Sequence, residues 1–270
     1  MSLSKIIFDG PKNILDETEN TQPAIFLASS AIFKVIKNET SFKIENAKFF
    51  AGHSLGEYSA LACADAIKFD QTIKLLKIRG NAMQNAVPKN EGGMVAILGE
   101  DITNIKKILE DKNEVFSCYV ANDNCNGQVV VSGKTNDLNK LIYELKNLSI
   151  KHIKLQVSAP FHCILMRSAT KIMKEEISNT NFLVPKNNIV SNVNAQPISD
   201  PVEIKKLLIQ QIEKPVRWRE SIENIIKTGN KKFIEIGPGK VLSGIIKRID
   251  RDVKIIQVSS IKDLNNLEDM

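Results

Sequence analysis

The chain is poor in the residues that hold metals or cross-link small folds. Its four cysteines, Cys63, Cys118, Cys125 and Cys163, form no C-x-x-C pair, and only His53, His152 and His162 stand by to assist them. Neither a zinc site nor a disulfide framework fits that spacing, so no metal and four free thiols in a reducing compartment are expected. Cys163 follows His162, but adjacent side chains rarely face one another, which makes a thiol nucleophile the weaker reading. Long hydrophobic runs are missing too. No stretch approaches the ~18 apolar residues of a membrane span, and residues 1–20 hold no apolar segment of signal-peptide length. A cytoplasmic chain without membrane contact is expected. Aromatics are only 6% and do not interleave with a basic stripe, so the net charge of +6, spread over scattered lysines, does not point to nucleic acid. That charge suits an acidic partner, an anionic substrate or a plain solvated surface. With 270 residues, 43% hydrophobic and 25% charged, one sizeable core or two unequal lobes are available. A monomer is expected.

What is present centres on residues 49–64. Phe49-Phe50-Ala51 reads as a short buried strand, Gly52-His53-Ser54-Leu55-Gly56 as a tight turn, and the small-residue run to Ala64 as a helix packed on a sheet. This is the G-x-S-x-G pattern of a nucleophile elbow, in which glycines sharpen the turn and lift the serine hydroxyl above the sheet. The Leu55 N–H and the helix dipole would then point to where an oxyanion forms. A plainer reading competes. Ser54 and Glu57 also form S-x-x-E, a capping box with Ser54 as N-cap.

Around this stretch the pattern is α/β. Residues 21–37 read as a buried helix with Thr21 as cap and Pro23 in its first turn. A second helix over 69–86, capped by Asp70, presents Leu76, Gly80, Met83 and Val87 as its core stripe. Arg79 lies on that same side. A guanidinium held against an apolar stripe needs an anion, so it is either structurally paired or a clamp for a substrate carboxylate. After a glycine-rich hinge at 87–93, strands at 94–98, 115–120, 128–133 and 152–157 alternate with helices at 101–111 and 137–147, the middle strands being joined by a loop at 122–127. That order, β-α-β-β-α-β, is the ferredoxin-like unit. The chain thus divides into 1–90, an inserted 91–158, and 159–270. His162 falls at a strand-to-helix junction before a helix over 163–178. Strands at 188–193, 233–236 and 253–258 and helices at 201–213, 217–228 and 240–249 follow, with a polar tail. Gly237-Pro238-Gly239 is a strand-to-helix turn rather than a phosphate loop, because the G-x-x-x-x-G-K-[ST] pattern is absent and Pro238 lacks an N–H.

The stretches GHSLGEYSAL, IRGNAMQ, SAPFHCILM, QQIEKPVRW and EIGPGKVLSGIIKRI, in this order and spacing, resemble the malonyl-CoA:acyl-carrier-protein transacylases. The resemblance spans nearly the whole chain from Thr21. It implies an α/β-hydrolase-like large domain with an inserted ferredoxin-like small domain. It also implies ping-pong transfer of malonyl from coenzyme A to the pantetheine thiol of acyl carrier protein, for fatty-acid biosynthesis. Carried over, Ser54 is the nucleophile, His162 its base, and Gln211 supplies the main-chain carbonyl that orients the histidine. Arg79 pairs with the malonyl carboxylate and the Leu55 N–H is an oxyanion donor. Phe161 disfavours a methyl on the acyl chain, and His53 and Met83 complete the substrate-binding set. No cofactor is implied, since malonyl-CoA and the phosphopantetheinyl carrier protein are substrates. A histidine base implies a rate that rises with pH through ~6.5.

The resembling family begins with an earlier strand and a Gly-Gln-Gly-Ser-Gln loop that gives a second oxyanion donor. Residues 1–20 do not supply these, so a slow and poorly soluble protein is expected. Two alternatives stand beside this reading. One is a serine hydrolase or thioesterase, and the other a catalytically impaired family member that binds carrier protein.

Overall fold

A computed structural model describes residues 2–157 and 159–269. The chain opens with helices α1 (Leu3–Asp9), α2 (Lys12–Leu15) and the long α3 (Thr18–Glu39), then β1 (Phe49–Ala51), α4 (Leu55–Cys63) and α5 (Phe69–Gln84). Next come β2 (Gly92–Leu98), α6 (Ile102–Asp111), β3 (Cys118–Cys125), β4 (Gln128–Lys134), α7 (Thr135–Asn147) and β5 (Lys151–Lys154). The remainder is α8 (Arg167–Asn179), β6 (Asn188–Val190), β7 (Pro197–Ile198), α9 (Pro201–Gln211), α10 (Trp218–Lys227), β8 (Lys232–Ile236), α11 (Val241–Ile249) and β9 (Lys254–Val258).

Strict alternation in β2 gives the central sheet two apolar faces. Val95 and Ile97 join Val129 and Val131 under α6 and α7, where Ile105, Leu138, Leu141 and Leu145 complete a core. Met94 and Ala96 point the other way, onto Ala121, Val130 and Phe161. The strands are antiparallel in the order β3-β4-β2-β5, the ferredoxin-like arrangement. Ser158, expected to end this unit, lies outside the described residues.

In the rest of the chain β1 runs parallel to β6, which pairs with β7, and β8 runs parallel to β9. Phe49 and Ala51 share one cluster with Phe233, Ile255 and residues of α10 and α11. Phe50 shares the opposite one with Ile234, Ile236, Ile256 and Phe33 and Ile36 of α3. Helices therefore cover both faces of this layer, as in α/β-hydrolase-like folds. A further core joins α3, α4, α5, α8 and α9 through Phe26, Tyr58, Leu61, Leu76, Met173 and Leu208. Among the described residues, no helix is long and apolar enough to cross a membrane.

Several boundaries differ from those read off the sequence. Helix α3 starts earlier, with Glu17 as N-cap, and Thr21 lies inside it. The Thr21 hydroxyl donates back to the Leu15 carbonyl at 2.6 Å instead of capping. Pro23 consequently sits beyond the first turn. Lys68, not Asp70, is the N-cap of α5. The helix expected from 163 begins as a 3₁₀ turn at Ile164–Met166, and the polar tail forms another, Ile261–Asp269, that buries Leu267. The largest difference is β3. The polar run Asn122-Asp123-Asn124 is strand, not loop, and is buried. It is held because the Asp123 N–H donates to the Val216 carbonyl at 2.9 Å and its carboxylate takes the Arg219 guanidinium at 2.8 Å. These contacts tie the ferredoxin-like unit to the start of α10 and the chain just before it.

Gly237-Pro238-Gly239 turns β8 into α11. The helix N-terminus is already occupied by a carboxylate of its own chain, since Glu235 accepts from the Leu242 and Ser243 N–H groups at 3.0 and 2.7 Å.

Gly80 lets α5 approach α3, for a Cβ there would lie 2.6 Å from the Thr18 carbonyl oxygen and 2.7 Å from the Glu19 Cα. Both neighbours are backbone. Gly80→Ala is therefore expected to force the helices apart and cost about 1–3 kcal/mol, the usual range for overpacking. A denaturation midpoint equal to that of the parent would show that the crossing yields freely.

Candidate active site

The turn after β1 places Ser54 at φ 53° and ψ −110°, a backbone conformation that L side chains seldom adopt. The steric demand of this elbow falls on Gly52, where a Cβ would lie 1.9 Å from the Gly56 carbonyl oxygen. At Gly56 a Cβ would meet nothing within 4 Å. Three bonds made by Asn192, just beyond β6, hold the elbow. Its Oδ1 accepts from the Ser54 N–H at 2.7 Å, its Nδ2 donates to the Gly52 carbonyl at 2.8 Å, and its own N–H donates to Glu57 Oε2 at 3.1 Å. The capping box is not formed. Ser54 makes no side-chain cap, and Glu57 is buried.

With the cap unmade, the Ser54 hydroxyl is free for other partners. His162 Nε2 lies 2.8 Å from it, and Arg79 Nη2 donates to it at 3.1 Å. His162, itself at φ 58°, presents Nδ1 to the main-chain carbonyl of Gln211 at 2.8 Å. Gln211 is the last residue of α9, so its carbonyl has no partner within the helix and is free to accept. Donation from Nδ1–H leaves Nε2 as acceptor of the Ser54 proton. Burial and then the Arg79 charge push the imidazole down to about 3, so it is neutral when free. The Leu55 N–H, at the head of α4, has no acceptor among the described residues.

Arg79 is fully buried and its fork is spread over neutral groups. Nη1 donates to Gln22 Oε1 at 2.7 Å, and Nη2 to Gln211 Oε1 at 2.9 Å as well as to Ser54. Its guanidinium carbon stands 5.5 Å from the Tyr58 ring centroid. Its Nε has no partner among the described residues. The Gln211 amide donates in turn to the Ser54 carbonyl at 3.1 Å and to Glu57 Oε2 at 2.7 Å.

The remaining residues singled out from sequence fall around this cluster. His53 Nε2 meets Asn124 Oδ1 of β3 at 2.9 Å, and its ring lies 5.6 Å from that of Trp218. Phe161 packs between the two cores, and its carbonyl accepts from the Ser132 hydroxyl at 2.6 Å. Met83 lies one layer behind, fully buried, with its sulfur 3.9 Å from Gln22 Nε2. Cys163 turns away and donates to the Pro160 carbonyl, its thiol pushed up to about 11 by burial. Sequence reasoning missed Gln22, Asn124 and Asn192. Nothing local marks them, since Gln22 follows the polar start of α3, Asn124 ends a polar run in β3 and Asn192 lies just beyond β6. Among the described residues, no three His, Cys, Asp or Glu side chains are placed to hold a metal ion. A cleft of about 260 Å³ lined by Phe49, Val190, Pro197 and Ile225 contains none of these groups.

A serine at an elbow, a histidine oriented by a main-chain carbonyl, and a buried arginine at the hydroxyl define an acyl-transfer enzyme. The sequence matches the acyl transferase domain family over residues 1–266, and the chain belongs to that family. It is 41% identical to the malonyl CoA-acyl carrier protein transacylase of Bacillus subtilis (strain 168), over 95% of this chain and 80% of that protein. Its structure is similar to that of an acyl-carrier-protein S-malonyltransferase from Bartonella henselae, with TM-score 0.94 and 41% identity, covering 98% of this chain and 84% of the other. It is also similar to a malonyl-transacylase solved in complex with a type II polyketide-synthase acyl-carrier protein, with TM-score 0.94 and 35% identity, covering 99% and 86%.

Proposed function

We propose that this protein transfers a malonyl group from coenzyme A to the pantetheine thiol of an acyl carrier protein, through a malonyl-Ser54 intermediate, in fatty-acid biosynthesis. The observation that carries the malonyl reading is Arg79 Nη2 at 3.1 Å from the Ser54 hydroxyl, a buried cation with no carboxylate bonded to it directly among the described residues. An acyl group that ends in a carboxylate can supply that anion while its thioester carbon rests on Ser54.

The chemistry follows from the hydrogen bonds. As the Ser54 oxygen bonds to the thioester carbon, its proton passes to His162 Nε2, and the Gln211 carbonyl holds the proton on Nδ1. The oxyanion forms against the Leu55 N–H. Collapse expels the coenzyme A thiolate, which takes the proton from His162. In the second half, His162 deprotonates the carrier thiol, whose sulfur attacks the acyl-serine, and Ser54 recovers its proton. These steps draw on side chains, the main-chain groups of Leu55 and Gln211, and the substrates, with no metal or prosthetic group called on. Phe161 and His53 flank the acyl group, and Met83 supports Arg79 through Gln22.

We assign the division of the chain to 1–90 and 159–270 for the large domain and 91–158 for the small one, on the ground that the four-stranded sheet keeps its own core. Ser54 stands in the first segment, His162 in the third, and Asn124 reaches the elbow from the second. A cytoplasmic location fits the free thiols.

The test is Arg79→Ala assayed with malonyl-CoA and with acetyl-CoA. Malonyl transfer is expected to weaken by about 2–5 kcal/mol, the range for removing one partner of a buried charge pair, while acetyl transfer holds or improves. Equal losses for both acyl groups would make Arg79 a structural residue and defeat the malonyl reading.

A further inference from the structure

The acyl-transfer steps leave one buried ionisable group unused. Glu57 lies three residues after the nucleophile and is 1% exposed. Its Oε2 accepts from the Gln211 amide at 2.7 Å and from the Asn192 N–H at 3.1 Å, while Oε1 has no partner among the described residues. The same Gln211 amide accepts from Arg79 at 2.9 Å. Glu57 and Arg79 are thus opposite charges relayed through one neutral side chain. Among the described residues the Arg79 fork is otherwise hydrogen-bonded to Gln22 and Ser54 and stands near the Tyr58 ring. Among the described residues, the other buried carboxylate is Asp123, and it is paired with Arg219.

We propose that Glu57 is a proton-linked countercharge to Arg79: ionised, it balances the empty guanidinium, and it takes up a proton from solvent when an acyl carboxylate binds there. This deepens the malonyl-transfer reading and rests on it. The physical reason is charge balance. Two carboxylates and one guanidinium buried together leave one negative charge uncompensated, and the least costly relief is protonation. Oε1 is free to carry that proton. Burial already raises the Glu57 carboxyl to about 7, partly opposed by its hydrogen bonds and by Arg79, so a small loss of the Arg79 field moves it across neutrality. Three other titratable groups lie near. Tyr58 of α4 is pushed up to about 12 by burial, His162 is held at about 3, and the His53 imidazole is lowered by burial. None of them changes charge between pH 7 and 8.5 in the free protein.

The sign follows directly. Binding that requires a proton weakens as pH rises, by up to about tenfold per pH unit for one proton taken up. For the full chain, KM for malonyl-CoA is expected to rise toward that slope between pH 7 and 8.5. KM for acetyl-CoA, which has the same coenzyme but no carboxylate on its acyl group, is expected to stay flat. Glu57→Gln keeps an oxygen for Gln211 and Asn192 but cannot titrate, and should flatten the malonyl slope while still forming acyl-serine. An unchanged slope in Glu57→Gln, or an equal slope with acetyl-CoA, overturns the proposal. Should Glu57→Gln not fold, calorimetry of malonyl-CoA binding to Ser54→Ala, in buffers of different ionisation enthalpy at pH 8, decides by itself. Uptake approaching one proton supports the countercharge, and no uptake overturns it. Malonyl loading with a flat parent KM defeats this proposal alone. No loading of the parent at all defeats the transfer reading and this with it.

Discussion

Ser54→Ala is expected to lose the mass increment of one malonyl group after incubation with malonyl-CoA, and to lower transfer by a factor on the order of 10⁶, as for other serine nucleophiles. The fold should survive the change. The Ser54 side chain makes no cap bond, and the elbow is held instead by the Asn192 side-chain amide, bonded to the Ser54 N–H and the Gly52 carbonyl, and by the bare Cα of Gly52. The hydroxyl's own partners, His162 and Arg79, each keep a bond to Gln211 when it is gone. Intact mass and melting temperature on one sample separate the two effects. An undiminished adduct on a folded Ser54→Ala protein would place the nucleophile elsewhere.

His162→Ala is expected to slow transfer by a factor on the order of 10²–10⁴, the usual share of a positioned base. Its pH behaviour differs from that of an exposed imidazole. Burial and Arg79 hold His162 at about 3, so the free protein keeps a neutral base throughout the physiological range. The acid limb of kcat/KM should therefore be flat from pH 7 down to 5, instead of falling through the ~6.5 of an unperturbed histidine. Once a malonyl carboxylate offsets Arg79, the second-largest cause of that depression weakens and the imidazole pKa rises. The acid limb of kcat, which reports the loaded complex, should lie above that of kcat/KM. A kcat/KM midpoint near 6.5 would show that the His162 site admits water and is not the dry site described.

The elbow, the buried arginine and the junction histidine were legible because each is announced locally. Gly52 is required by a backbone contact four residues away, and Arg79 sits on the apolar stripe of its own helix beside Leu76 and Met83. His162 is flagged by its place between strand-rich and helical patterns. The order β-α-β-β-α-β likewise follows from hydrophobic period alone, since alternating and helical runs bury different faces. Local cues misled where a polar side chain had a local and a distant partner to choose between. Thr21 bonded backward instead of capping, and the Ser54/Glu57 box went unmade because Asn192 and Gln211 outcompete it from 135 and 154 residues further along. The polar residues of β3 read as loop because the partners of Asp123 and Asn124, namely Val216, Arg219 and His53, are distant in sequence and reach them only after folding.

By itself, then, the sequence determined the class of fold, the elbow that carries Ser54 and the cation poised near it, because hydrophobic period and glycine sterics act over a few residues. Only the tertiary structure decided how Arg79, Glu57 and His162 share one buried site. Their charges are set by burial and by one glutamine, Gln211. Its side-chain amide meets Arg79 and Glu57 and its main-chain carbonyl meets His162, and those contacts exist once α4, α5 and α9 have closed on one another.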